Sequence, residues 1–339
     1  MSAVRILALI LLAAAIGAPA AGAEFYKGRT IRILLSAGVA GGYAEYARLL
    51  SRHWGDHIAG SPGFIVESMP GAGGLVAANY LYFQAPKDGL TVGLIHSTLP
   101  LAPLFGTKGA RFDAQKFQWI GSMDQQDGMC TAWHETPIAH WQDVLDKPFI
   151  VGSSGAGSMD IIPTLLNKYM GTHIKVISGY KDGTDIFLAM QRGEVEGRCS
   201  PQLTVLKSTR PEWLARGWVK VPILIGDRRS PDFPDTPTIL ELVKDQSARQ
   251  QFELLILEQH MDRPALLPPG VDAARVAELR GAFDATMQDA SFRAEADKMR
   301  LHLDPIDGPA LQSLLDKAYA LPPDVIEAAK AVMGNPSAE

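Results

Sequence analysis

The chain has 339 residues, enough for one large or two medium domains, and 47% hydrophobic with 20% charged residues is ordinary globular chemistry that excludes disorder and fibrous repeats. Its 32 basic and 37 acidic side chains give a net charge of −5, so the basic surface that sequence-independent nucleic-acid binding needs is missing. Two cysteines build neither a disulfide scaffold nor a multi-thiolate zinc site.

Residues 1–23 read as a secretory signal peptide. Arg5 is the n-region charge, residues 6–16 are an unbroken apolar run, and Gly17 and Pro19 end it. Ala21-Gly22-Ala23 is a small-x-small cleavage site, with Ala18-Pro19-Ala20 as the alternative. A bilayer span takes roughly 20 apolar residues, so cleavage after Ala23 and export to the periplasm are expected rather than anchoring. In an oxidising space Cys130 and Cys199 pair as one disulfide or remain two buried thiols, and spacing does not choose between them.

From Thr30 the sequence falls into a βα rhythm. Strands are predicted over residues 31–35, 64–66 and 91–95, and helices over 43–53 and 75–83. Glycine turns stand between them at Gly38-Val39-Ala40-Gly41-Gly42 and at Pro70-Gly71-Ala72-Gly73-Gly74. After Trp119-Ile120-Gly121 the rhythm restarts with a strand at 149–151, a Gly/Ser turn at 152–158 and a helix at 159–170. A strand at 174–177, a helix at 183–192, a short strand around Val195 and another at 222–225 follow, and the last hundred residues read as mostly helical. Strand–helix alternation predicts two α/β lobes, each a mainly parallel sheet flanked by helices. The expected division is 24–123 for the first lobe, 124–225 for the second, and 226–339 for a return to the first.

The three turns sit where a strand ends and a helix begins, the edge at which open α/β sheets bind ligands. Glycine lets the backbone approach a guest, and first-turn N–H groups carry partial positive charge, so an anion is the natural occupant. Ser153, Ser154 and Ser158 add hydroxyl donors, while Ser97 and Thr98 stand after the 91–95 strand. Hydrogen bonds to a charged group contribute roughly 1.5–3 kcal/mol each, so five or six support micromolar binding after ordering costs. The alternative is that the glycines only make tight turns.

Better-known chemistries fail on their residues. Gly38–Glu45 lacks the Lys-Ser/Thr of a P-loop, Val76 stands where the dinucleotide fingerprint needs Gly or Ala, and Gly152–Ala156 lacks the last glycine of a nucleophile elbow. The eight histidines form no HExxH, and neither His134/His140 nor Asp182/Asp185 has metal or catalytic spacing. No metal, no cofactor and no enzyme activity are expected. Trp133, Trp141, Tyr43, Tyr46 and Tyr180 could offer ring faces to a ligand, with core packing as the competing role.

Several stretches in order along the chain resemble the extracytoplasmic solute receptors of tripartite tricarboxylate transporters, the Bug/TctC family. They are Ser68-Met69-Pro70-Gly71-Ala72-Gly73-Gly74 with Ala77-Ala78-Asn79-Tyr80-Leu81, Pro86-Lys87-Asp88-Gly89, and Gly152–Ser158. Gly179-Tyr180-Lys181, Pro234-Asp235-Thr236-Pro237-Thr238 and Pro268-Pro269-Gly270 complete the set. The resemblance implies a two-lobed periplasmic-binding-protein type II (Venus flytrap) fold whose C-terminal helices return to the first lobe. It also implies a carboxylate held between the lobes by Gly38, Val39, Ala40, Gly41, Gly42 and Tyr43, facing Ser153, Ser154, Gly155, Gly157 and Ser158; Ser97, Thr98 and Tyr180, from their own places in the sequence, complete the expected site. The sequence departs from the family at one place: Ala44 stands at the position of the family's Asp, with Glu45 beside it and no Pro-Pro before the glycines. The expected ligand is a di- or tricarboxylate or an aromatic acid, and the expected partner is a membrane permease of the tripartite tricarboxylate type, served by a monomer. Alternative functions are a ligand sensor for a signalling kinase and an exported hydrolase using the same cleft.

Overall fold

The computed structural model describes residues 25–333, apart from 40, 127, 155–157, 181–182, 202, 204–205 and 208–209. The signal-peptide reading and the candidates Ala40, Gly155 and Gly157 therefore lie outside the described residues.

The first sheet contains β1 (Thr30–Leu35), β2 (Gly63–Ser68), β3 (Thr91–Leu94), β4 (Gln118–Ser122), β10 (Pro264–Leu267) and β11 (Ile306–Asp307) in the order β11-β4-β10-β3-β1-β2. Helices α1 (Gly42–His53) and α2 (Leu75–Phe83) fill the connections after β1 and β2. The inward residues of α1, Ala44, Tyr46, Ala47, Leu49 and Leu50, are buried against Ile31, Ile33 and Leu35 of β1, as the apolar spacing of that helix requires.

The second sheet contains β5 (Gly128–Trp133), β6 (Phe149–Ser153), β7 (Ile174–Ser178), β8 (Gly197–Pro201) and β9 (Val219–Ile225) in the order β7-β6-β8-β5-β9. Around it stand α3 (Trp141–Asp146), α4 (Ser158–Met170), α5 (Gly183–Gln191) and α6 (Pro211–Ala215). Cys130 and Cys199 face each other on β5 and β8 and are joined as a disulfide.

Most strands of each sheet run the same way, as expected: β2, β1, β3 and β4 in the first and β7, β6, β8 and β9 in the second. β1 pairs in parallel with β2 and β3, and β6 with β7 and β8, as βα units demand. β10 and β5, however, run antiparallel to both of their neighbours. The reason is topological: these are the strands by which the chain enters a lobe from the other one, so each starts at the edge where βα strands end.

The chain does not leave the second lobe at once after β9. Ile239 of α7 (Ile239–Leu242) and Ala248 and Phe252 of α8 (Gln246–His260) bury into the core of the second lobe, while Leu254 and Leu257 of the same α8 bury into the first. α9 (Ala273–Gln288), α10 (Ala290–Met299) and α11 (Gly308–Tyr319) then pack on the first sheet, and Val332 of α12 (Pro323–Met333) returns to the second core.

Candidate functional site

Register fixes where the strand ends lie. In the first sheet Leu35 is level with Ser68 and Leu94, Ala265 is level with Leu94, and Pro264 with Ser122. In the second sheet Gly128 is level with Pro201 and with Ile225, and Ser153 with Ser178. Two connections between the lobes, residues 123–126 and 261–263, leave from these same edges. The carboxyl ends of both sheets therefore meet at the crossovers, the position at which α/β sheets hold ligands.

The crossovers are laced together. Met123 N–H donates to the Arg263 carbonyl at 3.3 Å, Asp262 N–H to the Asp124 carbonyl at 3.3 Å, and Gln126 N–H to the Gln259 carbonyl at 3.0 Å. The Gln126 side-chain amide adds a bond of 2.5 Å to the Asp262 carboxylate. A two-strand hinge of this kind permits rotation of the lobes while fixing its axis.

At the first-lobe edge the structure brings Gly42, Tyr43 and Ser97 together. The Tyr43 hydroxyl donates to the Asp262 carbonyl at 2.9 Å and accepts from Ser97 N–H at 3.1 Å. Burial and the neighbouring Asp262 push its pKa up to about 12, so it stays a neutral donor. The N-cap of α1 is Gly41, with φ 95° and no side-chain capping bond, so the cap offers no side-chain acceptor to the first-turn N–H groups. Val39, 67% exposed, stands at the tip of the turn, and Thr98 is exposed.

The second glycine turn plays a supporting part. Gly74 has φ 94°, and a Cβ there would lie 2.9 Å from Leu99 and 3.0 Å from Ser36, so glycine is required for packing and for backbone conformation. The turn reaches the edge through the carbonyl of Gly73, 3.2 Å from His96 Nδ1, whose ring meets Tyr43 edge-on.

At the second-lobe edge Ser153 is fully buried and its hydroxyl donates to Asp160 at 2.5 Å. Ser178 donates to the other Asp160 oxygen at 3.3 Å. Asp160 itself lies in the first turn of α4, where a carboxylate is favoured by the helix field. Ser154 and Ser158 are half-buried, and Tyr180 N–H donates to the Ser153 carbonyl at 3.2 Å. The Tyr180 ring lies 3.3 Å from where a Cβ on Gly152 would stand and packs, partly buried, beside Ile186 and Phe187.

Sequence reading missed the charged groups around the hinge. Arg263 lies between the rings of Tyr43 and Tyr46, 4.5 and 4.8 Å from their centroids, and pairs with Asp262 at 2.5 Å. Tyr46 donates to the His302 carbonyl at 2.6 Å and lies 3.2 Å from Asp124, which bonds His302 Nδ1 at 2.6 Å. Burial pushes the carboxyls of Asp124 and Asp262 upward, and the bond to Asp124 pushes His302 upward. Glu258, on the last turn of α8, is raised to about 7 by burial and by Asp262. No motif could have revealed them, because these side chains come from four separated stretches and meet only when β10 inserts between β3 and β4.

A cavity of about 530 Å³ opens between the lobes beside this cluster, lined by Leu203, Lys207 and Arg228 on one side and by Gln125, His302 and Asp304 on the other. None of the sequence-derived candidates lines it. Among the described residues no group of three or more His, Cys, Asp or Glu side chains could hold a metal ion.

Two α/β lobes whose strand ends meet at a paired crossover define a two-lobed binding protein of the periplasmic type II class. The tripartite tricarboxylate transporter family receptor pattern (TctC) matches residues 53–310, and the chain belongs to that family. A curated relative, a UPF0065 protein of Bordetella bronchiseptica, is 36% identical over 112 residues, which are 33% of this chain and 32% of that protein. That match spans about a third of the relative's length. The crystal structure of a TctC solute-binding protein from Polaromonas aligns with TM-score 0.69 at 17% identity, over 91% of this chain and 99% of that one. An R. palustris protein whose structure was solved with adipate aligns with TM-score 0.57 at 16% identity, over 89% and 97%.

Proposed function

We propose that the protein is an extracytoplasmic solute receptor that captures an organic carboxylate between its lobes and delivers it to a tripartite tricarboxylate-type permease. The observation that carries the reading is the meeting of both sheets' carboxyl edges at the paired crossover, with Gly42, Tyr43 and Ser97 gathered beside a guanidinium. Family membership supports the receptor role, and the adipate in the R. palustris structure supports the ligand class. Lobe closure would exclude water and strengthen every contact to the anion. Among the described residues no helix is long and apolar enough to cross a membrane, in keeping with a receptor that hands its cargo to separate membrane subunits.

Thermal unfolding with a library of organic acids tests the reading. A cognate acid at 100 times its Kd stabilises the folded state by about 2.7 kcal/mol, a shift of several degrees. Ligand-stripped protein that responds to no carboxylate contradicts it, and conversion of a bound acid, followed by mass spectrometry, would move the protein into the enzymes.

A further inference from the structure

We propose that Arg263 reads the ligand's carboxylate at the first lobe, through the Nε–Nη2 edge of its guanidinium, so that a free carboxylate is required at that end. The inference rests on the carboxylate-binding reading above and adds to it a named cation and a selectivity.

Position comes first. Arg263 immediately precedes β10, so the register that sets Ala265 beside Leu94 and Pro264 beside Ser122 puts it on the ligand edge, beside the ends of β3 and β4. Its Nη2 lies 3.2 Å from where a Cβ on Gly42 would stand, so the guanidinium reaches the start of α1 because residue 42 has no side chain. Gly38 and Gly41 would meet nothing within 4 Å of an added Cβ, so those two positions before α1 are unobstructed.

The partners of Arg263 come next. Nη1 donates to the Asp262 carbonyl at 2.7 Å and contacts the Asp262 carboxylate at 2.5 Å. Nε is buried and has no hydrogen-bond partner. Nε and Nη2 form the side-on edge of a guanidinium, the pair of parallel N–H donors that matches two carboxylate oxygens. The tyrosine rings of residues 43 and 46 fix the plane of the group, and Asp262 fixes its Nη1 end. What remains is a preorganised cation whose bidentate edge lacks an acceptor. A buried N–H without a partner is costly, and an incoming carboxylate removes that cost while gaining charge-assisted bonds. A carboxamide offers one acceptor and turns an NH2 towards the donors, so the same geometry rejects it.

Titration calorimetry with adipate, succinate and benzoate, each beside its amide, tests the proposal on wild type, Arg263→Gln, Arg263→Lys and Gly42→Ala. For an acid that binds wild type, we expect acid to exceed amide by about 100-fold or more. Arg263→Gln should weaken the acid by at least ~30-fold and bring the ratio close to one, and Arg263→Lys should recover part of the loss as a point charge. Gly42→Ala sits in helical backbone and leaves Arg263 in place, yet its methyl meets Nη2 and should weaken the acid several-fold with an unchanged urea midpoint. A folded Arg263→Gln protein that keeps both affinity and ratio overturns the proposal and leaves the carboxylate reading standing. Should Arg263→Gln not fold, unchanged acid affinity in Gly42→Ala overturns it. Wild type that binds none of these or any other acid overturns both.

Discussion

The two ligand edges use similar turns to opposite electrostatic ends. At the first lobe a glycine turn opens onto a guanidinium held between two tyrosine rings. At the second, Ser153 at the end of β6 and Ser178 at the end of β7 give their hydroxyls to a carboxylate, Asp160. A turn that looks made for an anion therefore binds one only where the residues behind it leave donors free. Under the proposal above, the first edge supplies the charge that recognises the ligand, and Ser154 is left to contribute from the second.

The largest effect should come from the disulfide, which staples only the second lobe. Replacing Cys130 and Cys199 by alanine should lower stability by about 2–4 kcal/mol, seen as a lower urea midpoint, with the first-lobe edge unchanged. Loss of acid binding in a folded double mutant would show that the second edge also recognises the ligand.

Glu258 sets the next largest effect, through pH. Its folded pKa of about 7 lies above the unfolded carboxylate value, so the folded state holds a proton that the unfolded state has released. Its contribution is complete below about pH 4.5 and is lost as pH rises towards 7, on the order of 3 kcal/mol in all. Urea unfolding of Glu258→Gln should show that decline flattened, and an unaltered pH profile would refute the assignment.

Asp160→Asn should cost about 1–3 kcal/mol, because one serine hydroxyl loses an ionic acceptor in a buried setting. Carboxylate affinity should change little by comparison with Arg263→Gln. A larger loss of affinity than Arg263→Gln gives would reverse the roles of the two edges. Smallest is Tyr43→Phe, which leaves Ser97 N–H without its acceptor for about 1 kcal/mol and should weaken binding modestly by untying Ser97 from the Asp262 carbonyl while the ring stays over Arg263.

The fold was legible where periodicity is local. The α2 helix spans Leu75–Phe83 as the spacing predicts, and α1 and α4 each start one residue earlier than expected. The strands missed or misplaced are those without alternation. All six residues of β5 are buried, so Gly128–Trp133 carries no period of two. β8, Gly197–Pro201, lacks strong strand formers, so the sequence points to Val195 just before it instead. β10 is four residues beginning with proline. Since β5 and β10 are the strands that cross between lobes, the mixed pairing was illegible with them.

The site divided along the same line. Glycines and serines at strand ends announce themselves within a few residues, and the Tyr43–Ser97 contact joins two of the expected site residues. Arg263 stands 220 residues after Tyr43, next to a strand that carries no signal, and nothing near it in sequence marks it as more than a surface charge.

A crystal structure of the ligand-stripped protein reloaded with an acid that raises its melting temperature addresses the central claim most directly. One carboxylate is expected flat against Nε and Nη2 of Arg263, beside Gly42 and Ser97, with the lobes turned inward about residues 123–126 and 261–263. An acid seated elsewhere, with Arg263 still bonded to Asp262 alone, would contradict it.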